Sequence, residues 1–371
     1  MVNPFGGIYS GKQVLVTGHT GFKGGWLSLW LADLGAVVSG YSLPPVEGAS
    51  FFSLLEESTF HHSTLADICD AAKLKESIAA AAPDIIFHLA AQPFVGASYH
   101  DPLQTLRTNA FGTAMLLEAV RELESPTAIV VVTSDKCYRN HSPGQRFREG
   151  DALGGHDVYS MSKAAAELVV ASWHSSFFRG NENLGPLATA RGGNALGGGD
   201  YGEGRLLPDA VRAFVAQSPL VLRRPDAVRP WQHVLDLIAG YLTLGQQLLS
   251  QREKSRLLNY NFGPDARSEK SVQQLVDAWL AHWPGKLSVD SVAQPTYAEA
   301  QYLSLDPSHA MNELGWRPAW DFAAAVQQSA RWYWRRHGMR DPNAAMLEVS
   351  RAQIQEYSQA AHIRGAAWAI A

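Results

Sequence analysis

From Lys12 onward, apolar and polar positions follow two alternating rhythms. Short runs of apolar residues, KQVLVTG, AVVSGYS and DIIFHLAA, are separated by longer stretches with apolar residues every three or four positions, WLSLWLADL and Ala71 to Ala82. Short continuous runs suit strands buried on both faces, and the longer pattern suits helices covering them, so the order predicts βαβ units and a parallel sheet. The rhythm continues through a helix from about Thr105 to Glu124, the strand AIVVVTS, a helix from about Tyr159 to Phe178 and the strand PLATAR. The expected fold class is α/β, a Rossmann-type doubly wound parallel sheet with a smaller mixed α/β lobe.

Beyond Gly192 the texture changes. Glycine-rich GGNALGGGDYGEG leads into helical patches broken by prolines and basic residues, with an isolated strand-like run LLNYNFG near Asn259. The predicted division is one lobe over 8–191, with segments of 232–262 returning to it, a second lobe mainly over 192–335, and a helical, moderately amphipathic extension over 336–371. The Gly197–Gly204 stretch reads as a flexible lid.

Composition narrows the partners. A chain of 371 residues with 46% hydrophobic content can bury one large core or two moderate ones. The formal charge of -4 and the absence of a long basic run argue against nucleic acid or an anionic membrane as partner. The sequence offers two cysteines, Cys69 and Cys137, too few for a disulfide framework or a zinc-ligand spacing. Without a leader-like start or an apolar run near the ~18 residues of a membrane span, the expectation is a cytoplasmic protein without bound metal.

Chemistry enters at Val14-Leu15-Val16-Thr17-Gly18-His19-Thr20-Gly21-Phe22-Lys23-Gly24, where glycines fall between a strand and a helix. Such glycines permit a tight turn, close approach of a pyrophosphate and close helix packing, while the helix N-terminus offers N–H donors. The second strand, Val37 to Leu43, ends with neither a carboxylate nor an arginine, so the residues leave NAD and NADP open. Asp67-Ile68 is placed either to meet an adenine or to cap a helix, with the two readings even. Tyr159 and Lys163 lie four apart, hence on one helix face, where an ammonium group and a nicotinamide cation would favour the phenolate. Upstream, Thr133-Ser134-Asp135-Lys136 breaks an apolar strand with hydroxyl, carboxylate and ammonium groups in succession.

Glycine turn, Tyr-Lys pair and hydroxyl-ended strand together resemble the extended short-chain dehydrogenase/reductase family, and within it are most similar to its CDP-glucose 4,6-dehydratases. Further blocks carry the likeness: His88-Leu89-Ala90-Ala91-Gln92-Pro93, Thr108-Asn109-Ala110-Phe111-Gly112, Arg191-Gly192-Gly193-Asn194, Arg205-Leu206-Leu207-Pro208 and Val228-Arg229-Pro230-Trp231. The chain departs from the family pattern at Gly96, usually arginine, and at His309, commonly lysine. The resemblance implies NAD, held by Gly18, Thr20, Gly21, Phe22, Lys23, Gly24, Asp67, Ile68, Leu89, Ala90, Ala91, Gln92, Asn109, Tyr159 and Lys163. It implies CDP-glucose as substrate, touched by Asn194, Arg205, Leu206 and Arg229, and a homodimer or homotetramer built from helix pairs.

The implied reaction oxidises C4, eliminates water across C5 and C6, and returns the hydride to C6. On this reading Tyr159 is the base at the 4-hydroxyl, Lys163 lowers its pKa and Thr133 hydrogen-bonds O4. Asp135 is then the acid at the C6 oxygen, and Lys136 is the C5 base or a cation stabilising the enolate. The related dTDP-glucose 4,6-dehydratases carry glutamate at the position of Lys136. A 4-epimerase on the same fold has no use for Asp135-Lys136, and a non-catalytic dinucleotide sensor has no use for Tyr159 or Lys163.

Overall fold

A computed structural model describes residues 3–45, 50–123, 125–140, 144–250, 256–283, 286–291, 300–338 and 342–370. Its centre is a seven-stranded sheet, paired in parallel throughout. The strands are β1 (Gln13–Thr17), β2 (Val37–Ser42), β3 (His62–Leu65), β4 (Ile85–His88), β5 (Ala128–Val132), β6 (Leu187–Gly192) and β7 (Leu258–Phe262). Their spatial order is β7-β6-β5-β4-β1-β2-β3, which reverses direction beside β1. In open sheets ligands bind at the carboxyl edge near such a reversal. The run near Asn259, isolated in sequence, is the edge strand β7, registered Leu258 to Ala188 through Phe262 to Gly192.

All five residues of β5 are buried, consistent with helices on both faces. Helices α1 (Phe22–Asp33), α2 (Ala71–Ala81), α3 (Gly112–Arg121), α4 (Val158–Trp173), α5 (Leu206–Val215) and α6 (Val234–Ser250) follow in chain order. Asp70 caps α2 by accepting from Lys73 N, and Asp157 caps α4 by accepting from Ser160 N. The helix expected over 105–124 is three pieces: Pro102–Leu106, a π-helical turn Arg107–Phe111, and α3. Its expected end, Glu124, lies outside the described residues. The helix expected to reach Phe178 changes to a π-helical turn at His174–Phe178. Periodicity alone does not distinguish these local widenings from a continuous helix.

Two further helices, α7 (Phe322–Gly338) and α8 (Pro342–Ile363), lie toward the C-terminal end. α8 packs on α1, where Tyr357 lies edge-on to Trp30 at 5.8 Å, and Trp368 beyond it lies edge-on to Trp30 at 5.6 Å and stacks on Phe5 at 4.7 Å. Tyr357 also donates to Asp236 Oδ1 at 2.8 Å, and Ala319 N donates to the same oxygen at 2.7 Å. Burial pushes the Asp236 carboxyl up to about 7, so these donors partly offset its desolvation.

The first half of the expected Gly197–Gly204 lid is packed, while Glu203 and Gly204 are exposed. Gly197 to Asp200 is buried, Trp26 Nε1 donates to Gly198 O at 2.9 Å, and Tyr333 Oη donates to Asp200 O at 2.6 Å. A Cβ on Gly198 would fall 1.9 Å from the Trp332 ring, so glycine there permits close packing. Arg223 Nη2 donates to Gly204 O at 2.9 Å.

Candidate active site

The glycine turn meets the steric demands of a dinucleotide cradle. Gly18 has φ +79, and a Cβ there would lie 2.8 Å from Ala90 N; one on Gly24 would lie 2.1 Å from Gly18 O. Gly21 occupies the N-cap of α1 and makes no side-chain cap, which leaves the approach to the first turn unobstructed by a capping group. Thr20 ties the turn to the end of β2 through Ser42 Oγ at 2.8 Å and Leu43 O at 3.0 Å. Phe22 limits the space beside Gly197, which follows β6. His19 lies under Gly40 and bonds Ser63 Oγ at 2.9 Å, and burial pushes its imidazole down to about 4.

Asp67 does not cap a helix, since Asp70 holds that place at α2. Its Oδ1 accepts from Cys69 N at 2.9 Å, while buried Ile68 packs beneath Gly112. Leu89 N and Ala90 N donate to Thr17, at 3.0 Å to its carbonyl and 3.2 Å to its hydroxyl, so the segment through Ala91 and Gln92 lies against the glycine turn. Asn109 acts as a brace: Oδ1 accepts from Gln92 N at 2.8 Å, and Nδ2 donates to Gln92 O at 3.1 Å and Ser162 Oγ at 2.8 Å.

Tyr159 and Lys163 are buried one turn apart on α4. In the protein alone burial dominates both: the phenol is pushed up to about 12 and the ammonium group down to about 8. Ser134 hydrogen-bonds the phenol and Arg205 adds a favourable field, while Asp135 and Asp157 oppose ionisation. Lys163, expected to lower the phenol, is not among the leading influences on it, and desolvation dominates.

One expected residue points elsewhere. Thr133 Oγ1 donates to Glu167 Oε1 at 2.5 Å, beneath the site, and the hydroxyl beside Tyr159 belongs to Ser134. Successive side chains at a strand end project to opposite faces, so the assignment of Thr133 to O4 is corrected to Ser134.

Asp135 is buried, accepts from Ser134 Oγ at 2.9 Å through Oδ1, and has no partner for Oδ2 among the described residues. Burial raises its pKa, opposed by Lys136, Ser134, Arg229 and Lys23. An unpaired buried carboxylate costs several kcal/mol, so this environment favours a carboxyl that keeps its proton. Lys136 is half-buried, and its backbone N donates to Ser134 Oγ at 3.2 Å.

Just after β6, Gly193 passes close enough that a Cβ would sit 3.3 Å from Asp135 Oδ2, and this brings Asn194 to the same edge. Arg229 is buried and acts on Asp135, while Arg205 pairs with Asp200 at 2.8 Å and lies 5.0 Å from the Phe94 ring centre. Leu206 begins α5 directly after Arg205. Lys23 feels Arg205, Asp135, Lys163 and Asp200, and burial pushes it down to about 8. The same sheet edge thus gathers a buried carboxyl, a phenol and several cations, a set suited to a diphosphate-bearing substrate. His309 lies apart from it: Nε2 meets Glu313 at 3.0 Å and the ring faces Tyr260 at 4.7 Å, so that departure concerns local packing. Gly96 lies in the short helix Val95–His100, just after Phe94.

A family model, GDP-mannose 4,6 dehydratase, matches residues 15–329. A CDP-glucose 4,6-dehydratase of Salmonella typhimurium is 41% identical over 360 residues, covering 95% of this chain and 98% of that protein. A dTDP-glucose 4,6-dehydratase of Xanthomonas campestris pv. campestris is 27% identical, covering 86% of this chain and 92% of that protein. Among solved structures, a dTDP-glucose 4,6-dehydratase from Streptomyces venezuelae with NAD and TYD bound superposes with a TM-score of 0.75 at 24% identity. That likeness covers 89% of this chain and 99% of the other, and it concerns the fold.

Proposed function

The chain belongs to the GDP-mannose 4,6 dehydratase family, and on that premise we propose that it converts CDP-D-glucose to CDP-4-dehydro-6-deoxy-D-glucose. The 41% identity to a CDP-glucose 4,6-dehydratase along nearly both full lengths supports the substrate. The observation that carries the chemistry is the buried Asp135 carboxyl, with an unpartnered oxygen, beside the Ser134–Tyr159 hydrogen bond. An epimerase needs the phenol but has no step for that acid.

NAD fits the cradle formed by Gly18, Gly24 and the start of α1, and when bound it supplies the acceptor and donor of the hydride. Tyr159 takes the proton of the 4-hydroxyl, and Ser134 holds O4. Oxidation at C4 makes the C5 proton acidic, because its loss gives an enolate conjugated with the new carbonyl. Lys136 receives that proton or stabilises the enolate as a cation, and Asp135 protonates the departing C6 oxygen. Asn194, Arg205 and Arg229 address the diphosphate, where arginine's planar fork makes paired charge-assisted hydrogen bonds.

Incubation of the purified protein with CDP-glucose and NAD, followed by alkali, is expected to develop the near-ultraviolet absorbance of a 4-keto-6-deoxy sugar. Absence of signal with CDP-, dTDP-, UDP- and GDP-hexoses alike would rule out a dehydratase. The 4-keto product suits a precursor of deoxysugars in surface polysaccharides, made in the cytoplasm where nucleotide sugars and NAD are available. Among the described residues no helix is long and apolar enough to cross a membrane.

The same reading makes the protein a homodimer, with a tetramer as a pair of dimers. Leu103, Phe111, Met161 and Leu168 are exposed on segments that pack against one another, and large exposed apolar groups favour burial against a second copy. Light scattering should give a dimer or tetramer mass for the wild type and a lower mass for Leu168→Arg. A monomeric wild type would contradict this assembly.

A further inference from the structure

Beneath the site lies an ion pair that the reaction itself does not call for. Glu167 and Arg191 are 2% and 4% exposed and meet through Nη2–Oε2 at 2.8 Å and Nε–Oε1 at 3.0 Å. The remaining acceptor positions of Glu167 are taken by Thr133 Oγ1 at 2.5 Å and Thr189 Oγ1 at 2.9 Å. Arg191 Nη1 in turn donates to Tyr138 Oη at 2.8 Å and Glu149 O at 3.0 Å. Tyr138 passes its own proton to Asn261 Oδ1 at 2.7 Å and stacks on Phe147 at 4.9 Å.

These partners have a particular arrangement in the chain. Thr133 immediately precedes the turn that carries Ser134, Asp135 and Lys136, and Tyr138 immediately follows it. One end of the turn is therefore tied to the carboxylate and the other to the guanidinium of a single ion pair. Glu167 also sits one helical turn beyond Lys163 and two beyond Tyr159 on α4, while Thr189 and Arg191 belong to β6. A buried ion pair is poor evidence for net stability, because desolvation offsets most of its attraction. Fully satisfied buried polar networks do rigidify their surroundings, and the rigid object here is the floor of the active site.

Resting on the dehydratase reading, we infer that Glu167 and Arg191 are positioning residues that hold the Ser134-Asp135-Lys136 turn in register with the Tyr159-Lys163 helix. Proton removal at the 4-hydroxyl and elimination at C5 and C6 thereby act on one sugar without relative movement of their groups. Glu167 also favours the charged form of Lys163, against burial. The other titratable groups acting with Lys163 are Cys137, His88 and Lys23, from three separate elements.

The test compares wild type, Glu167→Gln and Thr133→Val, the last removing one tie without leaving a charge unpaired. Measured quantities are kcat and KM for CDP-glucose, the pH profile of kcat, nicotinamide reduction in a single turnover, C5 exchange with solvent deuterium, and Tm. Misplacement of catalytic groups by about 1 Å costs roughly 100-fold in rate, which is the loss expected in kcat for Glu167→Gln, with KM within about threefold. Its alkaline limb should move to lower pH, because Lys163 loses the carboxylate that favours its proton. Thr133→Val should lose about tenfold in kcat, C5 exchange falling more than nicotinamide reduction, at an unchanged Tm.

A wild-type profile per folded molecule in both variants would overturn the positioning role while leaving the dehydratase intact. If Glu167→Gln fails to fold, Thr133→Val decides by the same measurements. A wild type inert toward CDP-glucose would instead overturn the function on which the inference rests.

Discussion

Tyr159→Phe should lower kcat on CDP-glucose by about 10³-fold, with KM within a few-fold, because one hydroxyl is lost and the ring stays in place. Burial holds this phenol up at about 12 in the protein alone, so ionisation is the costly part of its task. The Ser134 hydrogen bond and the Arg205 field lower that cost. A cation brought beside the ring adds to the same effect. Nicotinamide reduction in a single turnover should fall with kcat, since no later step can proceed without the C4 carbonyl. Reduction at the wild-type rate in Tyr159→Phe would remove this residue from the oxidation.

The second large effect separates elimination from oxidation. In Asp135→Asn the shape and the Ser134 contact are conserved, but the amide cannot protonate a departing hydroxide. Product formation should fall by roughly 10²- to 10³-fold while reduced nicotinamide accumulates and C5 exchange continues. Because burial raises the Asp135 pKa, its protonated, active form is present below that pKa and is lost as pH rises through it. Wild-type elimination should therefore lose activity as Asp135 deprotonates, a contribution that Asp135→Asn lacks, while the alkaline limb set by Lys163 stays in both. Lys136→Met should show the reverse pattern, with nicotinamide reduced but C5 exchange lost; unchanged exchange would exclude Lys136 from the mechanism.

Much of this site was legible before any coordinates. The glycine turn, the Tyr159–Lys163 spacing and the polar break after Val132 are local patterns, and their meaning depends on neighbours only a few residues away. The errors have a different origin. Thr133 and Ser134 are chemically alike and adjacent, so the choice between them is a choice of face. The Gly197–Asp200 segment has the composition of a mobile loop, and Trp26, Trp332 and Tyr333 from distant positions immobilise it. The run Leu258–Phe262 has no strand neighbour in sequence and finds one in β6, across the whole of α5 and α6.

The sequence by itself determined the βαβ order, the dinucleotide turn, the phenol and ammonium group on one helical face, and the succession of hydroxyl, acid and base after a buried strand. These follow from short-range geometry, which the 3.6-residue and two-residue periods make readable. Tertiary structure alone decided which hydroxyl meets Tyr159, that the Asp135 carboxyl is buried with an oxygen unpartnered, and that Glu167 and Arg191 tie both ends of its turn. Desolvation and ion pairing depend on groups brought together from separate elements, and their strength is set by the dielectric of the space they share, which no single stretch of chain contains.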